Sequence, residues 1–335
     1  MGMDDRDDTD SGGVPSVALL RLTGLRVALH PLDYLLLAAP VAGVAQALHW
    51  SGVLLFFASG LAIVPLARLI GTTTEELAGR VGAAAGGLLN ATFGNATELI
   101  IAVVALEAGR ADVVKASLVG SILGNVLTVL GLSFVLGGAR RERQYFDRTA
   151  ASAAGAQLAV AGFGLLIPAV LAGTQSVRPA AIEGLSVATA VVLLLGYGTG
   201  LLFSLRTHAH LYTEEQEEEM HGPSWGVRNA VVVLLLATVG VAVLSDWLVA
   251  IDLSLSIALG SAAQIALFVA PVLVVLGLAL GHPMDLLFDT FEVAAVVIAV
   301  ALVNLLIHDG ESTWLEGIQL LAVYAILACA FFVHR

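Results

Sequence analysis

Gly94-Asn95-Ala96-Thr97-Glu98 stands in the middle of an apolar segment running from about Val81 to Leu106. A glutamate there lies near a bilayer midplane, where an ionised carboxylate costs at least ~2.5–3.5 kcal/mol by insertion scales. Residues that expensive are kept for a site. Gly94 loosens the helix one turn before Glu98, and Asn95, Gly94 and Asn90 precede Glu98 by three, four and eight positions. On a continuous helix all four share one face, so that face offers oxygens where the surroundings offer none.

The chain around this stretch is built for lipid. Of its 335 residues 58% are hydrophobic and 13% charged, with a mean hydropathy of +0.93. Repeated apolar runs of ~20 residues predict an all-α polytopic membrane protein. Ten spans are expected, at about 32–49, 52–70, 82–106, 113–137, 150–173, 181–204, 228–250, 253–279, 286–306 and 314–333. Trp50, Trp225, Trp247 and Trp314 all fall at span ends, as an interfacial belt requires. One cysteine, Cys329, excludes a disulfide framework or a Cys-based metal site. The start is acidic and polar, without the pattern of a signal peptide.

Orientation is set by the Arg/Lys bias. With the N-terminus inside, the inner segments of the first six spans hold Arg21, Arg26, Arg68, Arg80, Arg140, Arg141, Arg143, Arg148, Arg206 and Arg228. The outer loops hold only Arg110, Lys115 and Arg178. Beyond Arg228 the bias disappears. The expected divisions are a cytoplasmic tail over 1–30, a leading helix and first half over 31–205, an acidic cytoplasmic linker over 206–226, and a second half over 227–335. The linker contains Glu214-Glu215-Gln216-Glu217-Glu218-Glu219, a solvated connection or a cytoplasmic cation-attracting segment.

A shift of 140 residues overlays span four on span eight. Asp112 meets Asp252, Gly120-Ser121 meets Gly260-Ser261, Leu127 meets Leu267, and Leu136-Gly137 meets Leu276-Gly277. Matching halves suggest a duplicated transporter with its site at the midplane between them. Ser117, Ser121, Gly124, Asn125 and Thr128 form one stripe on span four; Gly260, Ser261, Gln264 and Phe268 do so on span eight. Small and hydroxylated stripes also serve helix packing, so both roles stay open. Asp285, Asp289 and Glu292 open span nine; Glu292, read as two turns in, is a candidate for an access path.

At these residues the sequence resembles the calcium (cation)/proton exchanger family of the cation/calcium exchanger superfamily. The resemblance rests on Gly86–Ile100, on Leu118–Asn125, on Phe203–His208, on Ala258–Pro271, and on Asp309–Ser312 with Trp314–Gly317. It implies eleven spans, a leading helix and two five-helix halves of opposite orientation. It implies a central glutamate motif in each half, the pair binding Ca²⁺ and protons alternately with Ser and Gln in support. Gly94–Glu98 matches the first motif, and Ser121, Ser261 and Gln264 match the supports.

The second motif is not present. At the 140-residue shift its place is taken by Leu234-Leu235-Leu236-Ala237-Thr238. Two spans fit between Trp50 and Asp112, but one between Trp225 and Asp252. One helix of the second half is therefore expected to be lacking, somewhere about Val249–Ile251. Losing one span inverts the parity of the last three spans, which is expected to break the pairing that sets Gln264 against the first motif.

The expected function is calcium/proton antiport through a midplane site of Glu98, Asn95, Gly94, Asn90, Ser121, Asn125, Ser261 and Gln264. No cofactor is expected; Ca²⁺ and protons are the transported substrates, the lipid bilayer the surrounding partner, and nucleic acid is not involved. The expected location is the cell (inner) membrane. An inactive exchanger-like membrane protein, or an exchanger of Na⁺ or K⁺, are the alternatives. No H-E-x-x-H, G-x-S-x-G or phosphate-cradling loop is present, and no soluble domain to hold one, which argues against an enzyme.

Overall fold

The computed structural model describes residues 19–22, 25–28, 30–81, 83–139, 141–173, 178–208, 226–249 and 264–333. Most of the expected tail and acidic linker, and Ser261, lie outside the described residues. Within the tail, β1 (Leu19–Leu22) and β2 (Leu25–Ala28) form an antiparallel ribbon where no regular structure was expected.

A 3₁₀ turn over Pro31–Leu37 leads into α1 (Ala38–Ala47). His30 and Asp33 form a reciprocal cap at its start, and Asp33 also pairs with Arg68. Helix α2 (Gly52–Val81) runs about three turns past the expected end at 70. Then come α3 (Ala83–Phe93), α4 (Ala96–Glu107) and α5 (Ala111–Leu123). A π-helical turn over Gly124–Val129 joins α5 to α6 (Leu130–Gly138). After β3 (Gln144–Tyr145) come α7 (Arg148–Gly173) and α8 (Pro179–Leu202), which ends in a second π turn, Phe203–Thr207. The second half has α9 (Val227–Val249), a π turn over Ile265–Val269, α10 (Ala270–Leu280), α11 (Thr290–Leu306), β4 (Glu311–Ser312) and α12 (Trp314–Val333). Six helical stretches are long and apolar enough to cross a membrane. Three shorter apolar helices and the α3–α4 pair occupy the other expected spans. The protein is an all-α polytopic membrane protein.

The repeat is visible in the packing. Helix α6 lies against α12 and α8 against α10, while α7 lies against α11 and α2 against α9. Exchanging the halves turns the first pair into the second and returns the last two to themselves. The π turns obey the same exchange: Gly124–Val129, shifted by 140 positions, falls on Gln264–Val269.

The repeat is also inverted. Strand β3 pairs with β4, and Arg143 binds Glu311, so the turn after α6 and the turn before α12 share one face, rich in arginine. Lys115 at the start of α5 reaches Asp285 and the Leu287 carbonyl, and Ser186 at the start of α8 accepts from the Leu286 amide. Those ends share the opposite face. Thus α5–α6 runs towards the arginine face and α10 away from it. Asp309–Ser312, ambiguous in the sequence, lies on the arginine face.

Loss of a span was expected to break this pairing, and the structure overturns that expectation. Leu244 packs with Ala42, Ala45 and Leu55, placing the end of α9 on the face opposite the arginines. Gln264 is next described at mid-depth, bonded to Asn95. Residues 250–263 make a connection for which the first half uses 82–123, and fourteen residues are fewer than the ~20 a spanning helix needs. The last three helices nevertheless keep the orientation of an inverted repeat.

One large apolar core joins α4, α5, α7, α8, α10, α11 and α12, centred on side chains such as Leu127, Leu165, Leu193, Leu267 and Leu273. Two smaller clusters tie α1, α2 and α9 together and against α4. Where lipid already solvates apolar faces, close approach of small residues does much of the joining. A Cβ on Gly317 of α12 would stand 2.5 Å from the Gly131 carbonyl oxygen of α6.

Candidate functional site

The glutamate stretch breaks its helix. α3 ends at Phe93, Gly94 and Asn95 form a turn, and α4 begins at Ala96. At ~1.5 Å per residue, comparable lengths of helix extend on either side, so the break sits near mid-depth. Asn90, Gly94, Asn95 and Glu98 were expected on one continuous face. The break replaces that face: Asn90 belongs to α3, while Glu98 stands in the first turn of α4. The Asn90 side chain lies outside the described residues.

The first intrahelical bond of α4 runs from the Leu99 amide to the Asn95 carbonyl. The amides of Ala96, Thr97 and Glu98 therefore precede the helical ladder, at the positive end of the helix dipole. Glu98 bonds its own backbone amide. The other described acids lie within about two turns of helix ends at the membrane faces. Glu98 alone among them stands at mid-depth.

Asn95 is 1% exposed and donates from Nδ2 to Oε1 of Gln264 across the repeat. Its Oδ1 is buried without a hydrogen-bond partner. Leaving such an oxygen unpaired costs about 1–3 kcal/mol. Gly94 beside it is exposed, so the backbone at the break is open rather than packed away. Unwound backbone at membrane depth is tolerated where it lines a protein-walled cavity.

Ser121 is buried on α5, which packs against α4. Asn125 donates from Nδ2 to the Ser121 carbonyl, at the start of the π turn. Thr128, one turn further, has a buried hydroxyl oxygen without a partner. Its position on the polar stripe was legible; the π turn that sets its direction was not. In the second half Phe268 stacks on Tyr197 with ring centroids 5.0 Å apart. Ser261 lies outside the described residues. Glu292 is in the first turn of α11, not two turns in, because that helix starts at Thr290. There it accepts from the Asp289 amide while Asp289 accepts from Phe291, a reciprocal cap on the face opposite the arginines.

The broken helix facing an inverted-repeat mate is the arrangement of ion-coupled carriers, and comparison with known proteins agrees. The family model described as sodium/calcium exchanger protein matches residues 51–206 and 236–333, the second stretch under two thirds as long as the first. The Ca(2+)/H(+) antiporter of Synechocystis is 42% identical over 358 positions, covering 90% of this chain and 96% of the relative. Those positions exceed the matched part of this chain by well over one helix of ~20 residues, consistent with a missing span. The Ca(2+)/H(+) antiporter ChaA of Bacillus subtilis is 36% identical, covering 91% of this chain and all of the relative. The structure of native YfkE superposes with a TM-score of 0.75 at 33% identity, covering 90% of this chain and 99% of that one. The H+/Ca2+ exchanger CAX shares the fold, with a TM-score of 0.53 at 16% identity. With an inverted repeat in its packing and a family match across both halves, the chain belongs to the sodium/calcium exchanger protein family of membrane transporters.

Proposed function

We propose that the chain exchanges Ca²⁺ for protons, with Glu98 as the group that carries one or the other. The carrying observation is the cross-repeat group at the helix break: Glu98, the Asn95 oxygen without a partner, and Gln264. Protonated, Glu98 is neutral and compatible with the membrane interior. Deprotonated, it shares a cation with the Asn95 oxygen and with backbone carbonyls at the end of α3. It cannot hold both, and that exclusion couples the two fluxes. Ca²⁺ prefers six to eight oxygens, so Ser121 and Ser261 are proposed as further support. The names of the Synechocystis and Bacillus relatives point to the same pair of ions.

The arginine face is proposed to be cytoplasmic, with the N-terminus on that side of the cell membrane, and 31–205 and 227–335 as the two halves. Gln264 is uncharged, which favours a second reading: a site with one carboxylate suits Na⁺ or K⁺. Adding each cation to proteoliposomes loaded with a pH dye separates them. Proton release on addition of Ca²⁺ but not Na⁺ or K⁺ supports the proposal; release on none supports a non-transporting protein.

A further inference from the structure

We infer that this chain moves one proton per cycle, so that its Ca²⁺/H⁺ exchange carries a net positive charge in the direction of Ca²⁺. The inference rests on the function proposed above. Where the inverted repeat places a second-half group against the first motif, it places Gln264, which holds Asn95 by hydrogen bonding. An amide does not titrate, so only Glu98 of this cross-repeat group can release a proton.

The surroundings do not add a second carrier among the described residues. Helix α4 packs against α2, α3, α5, α9 and α10. Helices α3 and α10 contain no charged residue. On α5, Asp112 lies in the first turn and Lys115 is taken by Asp285. On α2, Arg68 is taken by Asp33, and Glu75, Glu76 and Arg80 lie in the last two turns. Arg228 and Asp246 mark the two ends of α9.

The charges balance as a single exchange. Glu98 carboxylic acid plus Ca²⁺ gives the carboxylate–Ca²⁺ pair and one released proton. The mobile site is neutral when protonated and carries one positive charge when loaded with Ca²⁺. A full cycle therefore moves two charges one way and one back. Two-proton coupling would be silent electrically, and three-proton coupling would carry current the opposite way.

The reversal potential decides between them. Purified protein is placed in liposomes with tenfold higher Ca²⁺ outside, equal pH, and a membrane potential clamped by K⁺ and valinomycin. One-proton coupling predicts that Ca²⁺ entry stops at about 59 mV, inside positive. Entry that no potential stops, or that stops inside negative, overturns the inference while leaving the exchange intact. No Ca²⁺ movement at any potential overturns the exchange itself. Gln264→Glu adds the missing carboxylate in the same shape, and is expected to abolish the reversal potential. An unchanged reversal potential in active Gln264→Glu protein overturns the link between carboxylate count and charge.

Discussion

Asn95 donates its side-chain amide to Gln264, 169 positions along the chain, and so joins the broken helix of the first repeat to the π turn of the second. The bond spans the pseudo-symmetry axis. It persists although the connection before Gln264 is too short for a spanning helix.

Removing that bond should cost stability. Gln264→Ala leaves both polar atoms of the buried Asn95 amide without a protein partner, for a loss of about 1–3 kcal/mol. The apparent melting temperature in detergent should fall, and Gln264→Glu, which keeps the acceptor, should lose much less. Equal melting of wild type and Gln264→Ala contradicts a structural role for the bond.

The hydroxyl of Thr128 is a buried oxygen without a partner. If its value lies in transport, Thr128→Val should raise thermal stability by up to about 1–3 kcal/mol while slowing ion flux. Both are read on one preparation, by melting and by isotope uptake. A variant that melts lower shows that the hydroxyl has a structural partner instead.

The contact of α6 with α12 depends on Gly317, whose added Cβ would meet the backbone of Gly131 and Val135, at 2.5 and 2.7 Å. Backbone cannot swing aside, so Gly317→Ala should force the helices apart and cost about 1–3 kcal/mol. Gly162→Ala is the control, since nothing lies within 4 Å of its Cβ. Equal melting of the two variants contradicts the close approach.

Lys115 and Asp285 bridge the repeats on the face opposite the arginines, but both reach solvent, with side chains 18% and 36% exposed. Solvent screening keeps such pairs to roughly 0–1 kcal/mol. A double-mutant cycle with Lys115→Met and Asp285→Asn should give coupling in that range, shrinking as salt rises. Coupling of several kcal/mol, insensitive to salt, would show that the pair is sealed from water.

Much of the fold is legible in the sequence, because lipid imposes simple rules. Apolar run length finds the spans, and the 140-residue shift finds the repeat. The cost of a midplane carboxylate finds Glu98. Other features are not legible. The π turns at Gly124–Val129 and Ile265–Val269 leave no periodic signature, since one extra residue in a helical turn is invisible in a hydropathy pattern. The start of α11 is misplaced by sequence because the apolar run Met284-Asp285-Leu286-Leu287-Phe288 precedes the capping Asp289. Met284, Leu286 and Phe288 are buried in a loop pinned by Lys115 and Ser186, not in a helix. Parity counting fails for a related reason. It assumes that every segment enters from a membrane face, whereas α10 and its π turn begin at mid-depth beside Asn95.

Glu98 as the exchanged site is tested most directly by transport. Purified wild type and Glu98→Gln protein should be compared for uptake of radiolabelled Ca²⁺ into proteoliposomes carrying an acidic interior. Wild type is expected to accumulate Ca²⁺ as protons leave, and Glu98→Gln, which keeps the shape but cannot release a proton, to fall to the level of empty liposomes. Uptake by Glu98→Gln equal to that of wild type would contradict Glu98 as the carrier of either ion.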